Sequence, residues 1–305
     1  MTTRGRLPSS EYEATHAPVL PLEIVRLLAP RAGGVYVDCT VGLGGHAAAL
    51  LEAGAGRVIG LDRDPEALAR TRARLGDGGG RLELVHADYR QLRRVLGDRG
   101  VTGVDGAMAD LGVSSMQLDE AARGFGFRAT GPLDMRMDQS QGATLAQRLA
   151  AVDAATLADV IWRHGEERHS RRVARAVLAA RDAGTLTDTA ALAAVIRRAV
   201  GARGWQRIDP ATRTFQALRI WVNDELDGLD RFLGEAVDVL VPRGRLAVIA
   251  FHSLEDRVVK HTFRRLAADG VVTLLTRRPL TPDDAELQRN VRSRSARLRA
   301  VEKAA

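Results

Sequence analysis

The chain has 305 residues, a net charge of +7 at pH 7 and one cysteine, Cys39. This length allows one large domain or two modest ones, and a single cysteine excludes an internal disulfide framework and fits a reducing compartment. No apolar run reaches membrane-spanning length and the N-terminus lacks the apolar core of a signal peptide, so we expect a cytoplasmic protein with no membrane partner. The positive net charge favours a polyanionic partner.

The first 110 residues alternate between β-prone and helical segments. Residues 1–15 are polar and are expected to be frayed. Amphipathic helices are predicted over residues 21–28 and 65–75, the second with proline in its first turn. Strands are predicted over residues 35–37, 58–62, 82–86 and 104–110. This alternation predicts an α/β fold with a parallel, doubly wound sheet, which gathers ligands at the carboxyl ends of its strands.

A glycine-rich turn follows the first predicted strand. Gly42, Gly44 and Gly45 come after the strand, and His46 opens a segment rich in alanine and leucine. The spacing matches a G-x-G-x-x-A fingerprint with Ala47 in last place, in which a helix N-terminus presents backbone N–H groups to a polar ligand. Because glycine-rich turns are common, the fingerprint alone indicates a nucleotide site only weakly.

Side chains at the predicted strand ends indicate which ligand this turn would hold. Asp62 lies about twenty residues past Gly42, where a ribose-binding acid suits both NAD and S-adenosylmethionine. Asp38 discriminates between them, because a carboxylate opposes a pyrophosphate but attracts the sulfonium and ammonium groups of S-adenosylmethionine. The alternative role for Asp38 is to cap the loop. Tyr89 and Asp110 also fall at predicted strand ends, which strengthens the site hypothesis.

The pattern changes after residue 112, and no convincing strand is predicted before residue 213. A loop rich in glycine, proline and methionine spans residues 123–138. Helical segments follow near residues 144–150, 156–164, 170–183 and 188–199. We therefore predict a sheet domain whose first part is residues 1–112, a helical insertion at 113–213, and the second part of the sheet domain at 214–305.

The last third of the chain is predicted to return to the sheet. A long amphipathic helix begins near Thr212, and its apolar residues from Phe215 to Leu240 follow a helical period that suits packing on the sheet. The remaining predicted elements are a fifth strand at 245–251, a helix at 254–266, and a closing hairpin of 271–276 with 296–301.

Two histidine clusters suggest rival sites. His252 and Ser253 are adjacent, but no G-x-S-x-G turn precedes the serine, so helix capping or a place in a substrate loop is favoured over a hydrolase site. His164 and His169 lack cysteine partners and the spacing of metal ligands, so no metal site is expected.

Arginines supply candidate phosphate contacts. Arg292, Arg294, Arg297 and Arg299 alternate, which suggests one basic strand face. The pairs at 171–172, 197–198 and 277–278 would either line an RNA channel or form solvated surface. Lysine is nearly absent from the chain, a composition that a GC-rich genome also produces, so basicity supports nucleic-acid binding without establishing it.

Several long motifs carry a family resemblance. They are HAPVL (16–20), GGH (44–46), DLGVSSMQ (110–117), RGFGF (123–127), GPLDMRMD (131–138), GEER (165–168), ATRTFQALRI (211–220), FHSLEDR (251–257) and RSRS (292–295). Together they resemble, nearly end to end, the bacterial small-subunit (16S) ribosomal RNA cytosine-N4 methyltransferase family of the MraW type. Met116 and Val291 stand where that family has proline, and Gly126 where it has serine, which bears only on loop conformation.

The resemblance implies a Rossmann-like methyltransferase sheet interrupted by an all-helical substrate-recognition domain. It implies an enzyme that transfers methyl from S-adenosylmethionine to the N4 atom of a cytosine in 16S ribosomal RNA, near the decoding P site, with that RNA or the small ribosomal subunit as partner. The implied cofactor contacts are Gly44, Gly45, His46, Asp62, Tyr89, Asp110 and Gln117. Chemically, Asp62 suits the ribose hydroxyls and Tyr89 suits stacking on adenine.

Asp110 and His252 are the catalytic candidates, because an amine with a delocalised lone pair needs an acceptor for its N–H. Asp110 ends the fourth predicted strand, although Asp-Leu-Gly-Val-Ser-Ser replaces the Asn/Asp-Pro-Pro-aromatic sequence usual in amino-methyltransferases. Phe125 or Phe127 would either stack on a flipped base or belong to the core of the insertion. The RNA-binding candidates are Phe125, Arg292 and Arg294.

Two other functional classes stay open at this stage. A nicotinamide oxidoreductase would use the same kind of sheet, although Asp38 argues against its pyrophosphate. A catalytically silent RNA-binding assembly factor would keep the fold without the transfer.

Overall fold

The computed structural model describes residues 17–201 and 208–305. The chain divides into two compact units: residues 1–112 with 228–305, called the sheet unit, and residues 113–227, called the helical unit. The sequence-based division placed the return to the sheet at 214. The predictions for residues 1–15 and His16 lie outside the described residues. Within the described residues, no helix is long and apolar enough to cross a membrane.

The sheet unit is built on one mixed sheet. Its strands are β1 Val35–Asp38, β2 Arg57–Asp62, β3 Leu82–His86, β4 Val104–Asp110, β5 Leu240–Ala250, β6 Val272–Leu274 and β7 Arg297–Lys303. Among the described residues the sheet has seven strands in the order β3-β2-β1-β4-β5-β7-β6. Strands β1 to β5 are parallel, and β7 is antiparallel to β5 and β6. The predicted Rossmann-like α/β sheet is confirmed.

The strand order reverses between β1 and β4, which are neighbours in the sheet although two strands separate them in sequence. Asp38 ends β1 and is in register with Met108, two positions before the end of β4 at Asp110. In open α/β sheets the ligand crevice lies outside the carboxyl ends of the strands at such a reversal. The topology therefore brings Asp38 and Asp110 to the expected ligand-binding edge.

Helices cover the sheet. They are α1 Pro21–Leu28, α2 Gly45–Glu52, α3 Pro65–Leu75, α4 Leu92–Gly97, α11 Leu229–Asp238, α12 Ser253–Ala268 and α13 Asp284–Arg289. Local sequence sets where they begin: α3 has Pro65 at its first position, and the Asp64 carboxylate accepts a hydrogen bond of 3.0 Å from the N–H of Glu66. Side chains such as Tyr36, Met108 and Ile249 are fully buried in the core of this unit, each contributing about 1.5–3 kcal/mol by burial.

The helical unit contains the helices α5 Ser115–Asp119, α6 Leu145–Ala151, α7 Ala154–Gly165, α8 Ser170–Asp182, α9 Thr189–Val200 and α10 Ala211–Asn223. Aspartates cap two of them, because Asp153 and Asp188 accept hydrogen bonds from the first turns of α7 and α9. The core is apolar and includes Leu157, Val177 and Ile196. Residues 113–201 and 208–227 contain no strand, as predicted.

The long helix predicted from Thr212 to about Leu240 is wrong, because the structure has two helices there. Helix α10 ends at Asn223, and Asp224 and Gly228 both adopt left-handed backbone angles before α11 begins. Phe215 of α10 belongs to the core of the helical unit, whereas Phe232 of α11 is buried in the sheet unit. The apolar residues keep a helical period across the break between α10 and α11, so the sequence pattern does not reveal the break.

Candidate cofactor and catalytic site

Polar residues of the sheet unit lie together at the carboxyl edge of the sheet, as predicted. Asp38, Asp62 and Asp110 are the last residues of β1, β2 and β4. Tyr89 follows the end of β3 by three residues, and His252 follows the end of β5 by two. Five adjacent parallel strands thus each deliver a candidate residue to one edge.

The glycine turn is fastened to β2 through its backbone. The N–H of Val41 donates to the carbonyl of Leu61 at 2.7 Å, and the N–H of Gly42 donates to Asp62 Oδ2 at 2.7 Å. Gly42 has a φ of 50°, and a Cβ there would meet no atom closer than the Thr40 carbonyl oxygen at 3.8 Å. The space beside Gly42 is therefore open for a ligand to approach the backbone.

Gly44 and Gly45 are required for a different reason. A Cβ on Gly44 would lie 2.7 Å from Cγ2 of Thr71, and one on Gly45 would lie 2.9 Å from Cβ of Pro18. The hydroxyl of Thr71 donates to the carbonyl of Gly42 at 2.6 Å, so α3 holds the turn from behind. These two glycines permit close packing of the turn within the protein, whereas Gly42 has the open face.

Asp62 organises the turn and keeps capacity for a ligand. Its Oδ2 accepts from Gly42, and its Oδ1 accepts from the N–H of Asp64 at 2.8 Å. Burial raises the pKa of Asp62 to about 6, and these two backbone hydrogen bonds oppose that rise. Each carboxylate oxygen accepts more than one hydrogen bond, so both remain able to accept from ribose hydroxyls.

His46 lies between two carboxylates. Its Nε2 is 3.5 Å from Asp110 Oδ2, and its pKa, which burial lowers, is raised overall by Asp110 and then by Asp38. Burial raises the pKa of Asp38 to about 7, although His46 and the N–H of Thr40 oppose this. The strand edge therefore concentrates acidic groups in a buried position, a pattern typical of functional sites.

Several buried atoms of this group lack hydrogen-bond partners among the described residues. They are Asp38 Oδ2, Asp110 Oδ1 and both ring nitrogens of His46. Buried polar atoms are normally paired, so unpaired ones need an external partner such as a ligand or water. The acceptors here suit a ligand that carries positive charge and N–H or O–H groups.

Thr40 also contributes to the site, although the sequence analysis did not single it out. Its hydroxyl accepts a hydrogen bond of 2.6 Å from the N–H of Asp110, and its own N–H donates to Asp38 Oδ1 at 3.2 Å. Thr40 thus ties the ends of β1 and β4 together. Its position two residues after a strand-ending aspartate, as in an Asx turn, was the available signal.

Tyr89 is half-buried at the start of a short 3-10 turn, Tyr89–Gln91. Its ring packs on the buried ring of Phe232, with centroids 4.5 Å apart, and the guanidinium of Arg90 lies 5.7 Å from its centroid. Phe232 fixes the orientation of the tyrosine ring, which is the preorganisation that a stacking residue needs.

His252 is a helix cap. Its Nδ1 accepts from the N–H of Glu255 at 3.3 Å, and Glu255 Oε2 accepts in return from the N–H of Phe251 and that of His252. The capping role favoured by the sequence is confirmed. When Nδ1 of a neutral imidazole accepts, the proton resides on Nε2, which is then a donor rather than an acceptor. This geometry favours Asp110 over His252 as the acceptor for an amine.

Three sequence candidates lie in the helical unit. Gln117 is buried in α5, and its side chain accepts from the N–H of Ser114 in a capping box. Phe125 is buried, with 6% of its surface exposed. Phe127 packs against Phe215 with ring centroids 4.7 Å apart, so it belongs to the insertion core, one of its two predicted roles. The cofactor contact of Gln117 and the RNA contact of Phe125 stay predictions.

The C-terminal arginines do not share one strand face, so that prediction is wrong. Arg292 and Arg294 lie in a 3-10 turn, Val291–Ser295, and are exposed. Arg297 and Arg299 are in β7 and both donate to the buried Asp256, at 3.0 and 2.7 Å. The second pair is therefore engaged in a structural ion-pair cluster, and only Arg292 and Arg294 remain candidates for phosphate contact.

The acceptor groups at the carboxyl edge of the sheet fit S-adenosylmethionine. This cofactor carries an ammonium, a sulfonium and ribose hydroxyls but no phosphate. Asp38 and Asp110 offer unpaired acceptor atoms, Asp62 offers the ribose acceptor, and the open side of Gly42 admits a ligand. Buried carboxylates would instead repel the pyrophosphate of a nicotinamide cofactor.

Comparison with known proteins adds an independent line of evidence. A family model described as the MraW methylase family matches residues 13–304. A protein called ribosomal RNA small subunit methyltransferase H from Sorangium cellulosum is 51% identical over 94% of this chain and 90% of its own length. Proteins of the same description from Nitrobacter winogradskyi, at 51% identity over 94% and 90%, and Nitratidesulfovibrio vulgaris, at 49% over 95% and 96%, are similarly related.

Proposed function

Because the chain belongs to the MraW methylase family, we propose that it methylates the exocyclic N4 of a cytosine in 16S ribosomal RNA, near the decoding P site. The chain is a methyltransferase, and its cofactor is S-adenosylmethionine, which supplies the methyl group from a sulfonium. Family membership removes the nicotinamide oxidoreductase from consideration. Ribosomal RNA is a cytoplasmic substrate in bacteria, so the enzyme acts in the cytoplasm.

The unpaired acidic atoms at the strand reversal carry this proposal. Asp38 Oδ2 and Asp110 Oδ1 are buried acceptors without a partner among the described residues, and they flank His46. Asp38 holds the ammonium of the cofactor, because an ionised carboxylate in a buried position attracts a cation more strongly than one in water. Asp62 accepts from the ribose hydroxyls, and Tyr89 stacks on the adenine.

Asp110 is the acceptor for the reacting amine. The N4 lone pair of cytosine is delocalised into the ring, so the amine needs alignment and a group that holds its N–H. His46 Nε2 lies beside Asp110 Oδ2, and the backbone N–H of Asp110 donates to Thr40. The His46 contact is made to Oδ2 and leaves Oδ1 for the amine, while the Thr40 contact anchors the backbone of Asp110. When the bound cofactor supplies its methyl group to the amine, the methyl–sulfur bond would break, the cofactor would leave as the neutral thioether, and Asp110 would take up the proton that the amine loses and pass it to solvent.

RNA recognition belongs to the helical unit and to the exposed Arg292 and Arg294. The carboxyl edge of the sheet is acidic around Asp38 and Asp110, so it does not supply phosphate contacts of its own. The helical unit interrupts the sheet sequence between β4 and β5, immediately after Asp110. Basic residues outside the acidic edge are therefore the ones that hold the phosphates.

Kinetics of Asp110→Asn on small ribosomal subunits test the catalytic part of the proposal. We expect kcat to fall by about 100-fold or more, within the range for loss of a positioned proton acceptor, while the affinity for RNA is retained. Asp105→Asn is the matched control, because Asp105 lies at the opposite end of the same strand and pairs with Arg31. A normal kcat with weakened cofactor binding would make Asp110 a cofactor ligand only.

A further inference from the structure

The helical unit carries a groove that the strand-edge chemistry does not use. Its volume is about 1060 Å³, and its lining comes from positions of α7 between 154 and 162 and from positions between 168 and 175, just before and within the first turns of α8. Alanines at 154, 155 and 158 form part of the lining on the α7 side. Their small side chains leave room along the helix for a ligand.

Trp162 lines this groove with an exposed indole, since 55% of its surface is accessible. The exposure does not come from a poorly packed helix, because Leu157 and Ile161 of the same helix are fully buried. Leaving a large aromatic ring in water forfeits its burial energy. An exposed ring in a concave site is a surface on which a base can stack.

Positive charge dominates the lining. Its exposed basic side chains are Arg168, Arg171, Arg172 and Arg175. Asp159 is the single acidic residue among the lining residues described, and Arg163 pairs with it at 2.8 Å. Within residues 17–201 and 208–305, none of the four arginines forms an ion pair with a carboxylate. The groove therefore offers a net positive field to a ligand.

Two of the four arginines are held by short hydrogen bonds, whereas among the described residues Arg171 and Arg175 have no side-chain hydrogen bond shorter than 3.4 Å. Arg172 donates to the carbonyl of Val200 at 2.6 Å, and Arg168 donates to a neighbouring imidazole at 3.1 Å. Arg175 makes only a long contact of 3.4 Å with the backbone carbonyl of Arg171, among the described residues. Arg171 and Arg175 are one helical turn apart, about 6 Å along the axis, so they present a row of cations.

We propose that this groove binds a single-stranded segment of the RNA substrate, with a base stacked on Trp162 and phosphates held by Arg171 and Arg175. The inference rests on the proposed function, because it names where the helical unit holds the RNA. An aromatic platform beside a row of arginines is the arrangement with which proteins bind single strands without reading their sequence. The groove therefore contributes affinity and orientation, while the strand edge selects the reacting base.

An RNA strand fits the lining better than an acidic peptide does. Carboxylates of a peptide would satisfy the arginines but would leave the exposed indole of Trp162 without a stacking partner. A single strand offers both phosphates and flat bases at short, regular intervals. The two ligands are distinguished by competition, in which poly-glutamate serves as the peptide probe.

Binding of a fluorescein-labelled single-stranded RNA oligonucleotide to the full chain tests the inference. Trp162→Ala should weaken binding by about 5- to 150-fold, the loss expected for one stacked base, whereas Trp162→Phe should retain most of the affinity. Arg171→Gln with Arg175→Gln should lower the slope of log affinity against log salt by about 0.7 for each phosphate that the variant no longer neutralises.

A charge-matched control separates the groove from general attraction. Arg128→Gln with Arg213→Gln removes two exposed arginines of the same unit that do not line the groove. This control should leave the salt slope unchanged. An equal loss of slope in both double variants would overturn the inference, as would unchanged binding in Trp162→Ala, or displacement of the RNA probe by poly-glutamate at matched charge concentration.

Stacking has its own spectroscopic readout. In a Trp205→Phe, Trp221→Phe background, Trp162 is the remaining tryptophan, and RNA should quench its fluorescence. Absence of quenching at saturating RNA would contradict stacking.

A methyl-transfer assay distinguishes failure of this inference from failure of the proposed function. If the wild-type chain transfers no methyl to small subunits, the proposed function is refuted. If the wild type is active and the groove variants keep its kcat/KM, only the groove is refuted.

Discussion

Asp38→Asn should make the protein more stable while weakening its cofactor binding. The side chain is fully buried, and its pKa is raised from an ordinary 3.8 to about 7. At pH 8 the carboxylate is ionised in both the folded and unfolded states, and the raised pKa then corresponds to a cost of about 4 kcal/mol to the folded state. Asparagine keeps the oxygen that accepts from the N–H of Thr40 but cannot ionise.

The gain in the free energy of unfolding from Asp38→Asn should depend on pH. A group whose pKa is raised on folding stabilises the folded state below its unfolded pKa, and that contribution is lost as the pH rises through the folded value. The free-energy cost that the raised pKa of Asp38 imposes on the folded state should therefore fall to under about 2 kcal/mol at pH 5. Urea unfolding without cofactor should show Asp38→Asn to be more stable than wild type by up to about 4 kcal/mol at pH 8, and by clearly less at pH 5.

Cofactor titration supplies the second half of the test. Loss of a charged hydrogen bond costs about 1.5–3 kcal/mol, so calorimetry should show S-adenosylmethionine binding about 10- to 100-fold weaker in Asp38→Asn. Wild-type affinity should rise from pH 6 to pH 8, because Asp38, whose pKa is about 7, ionises over that range. Asp98→Asn, an exposed change, should alter neither quantity. Equal stability at both pH values together with unchanged cofactor affinity would refute the role of Asp38.

Three further changes test other parts of the structure. Asp62→Asn should weaken S-adenosylmethionine binding by about 10- to 100-fold in calorimetry through the loss of charged hydrogen bonds, and unchanged affinity in the folded variant would refute its ribose role. Asp256→Ala leaves the buried Arg299 unpaired, so urea unfolding should show a loss of about 3–5 kcal/mol, whereas a loss below about 1 kcal/mol would mean that the pair is solvated. Arg292→Gln with Arg294→Gln should reduce the salt slope of RNA binding by about 0.7 for each phosphate that is no longer neutralised, and an unchanged slope would place both arginines in solvent.

The carboxyl edge was largely predictable from the sequence. Strands β1, β2 and β4 are short, mostly apolar runs that each end in an aspartate, and parallel strands align those ends at one edge of the sheet. Asp38, Asp62 and Asp110 therefore appear together in the structure as the pattern indicates. The fold class follows from the same alternation of strands and helices.

The roles of individual glycines required the tertiary structure. Spacing identifies the turn, but it does not show that Gly44 is crowded by Thr71, that Gly45 is crowded by Pro18, or that Gly42 has the open side. These contacts join segments that are far apart in sequence. The pairing of Arg299 with Asp256 has the same origin, because a strand and a helix residue separated by 43 positions meet only in the fold.

Helical periodicity explains two other outcomes. The apolar period continues from α10 into α11, and without proline the break is signalled only weakly, by Asp224 and Gly228. In α7 the helical period separates buried positions from exposed ones. Leu157 and Ile161 define the buried stripe, and Trp162 falls just outside it, so an exposed indole was predictable from the helix alone.

Methyl transfer to isolated small ribosomal subunits tests the central claim most directly. Subunits from cells that lack this chain would be incubated with the purified protein and S-adenosylmethionine carrying a deuterated methyl group, and nucleosides from the 16S RNA would then be analysed by mass spectrometry. We predict a cytidine that carries the deuterated methyl on N4, formed by the wild type and formed about 100-fold or more slowly by Asp110→Asn. A labelled methyl on a ring carbon or a ribose oxygen, or no labelled nucleoside at all, would contradict the account.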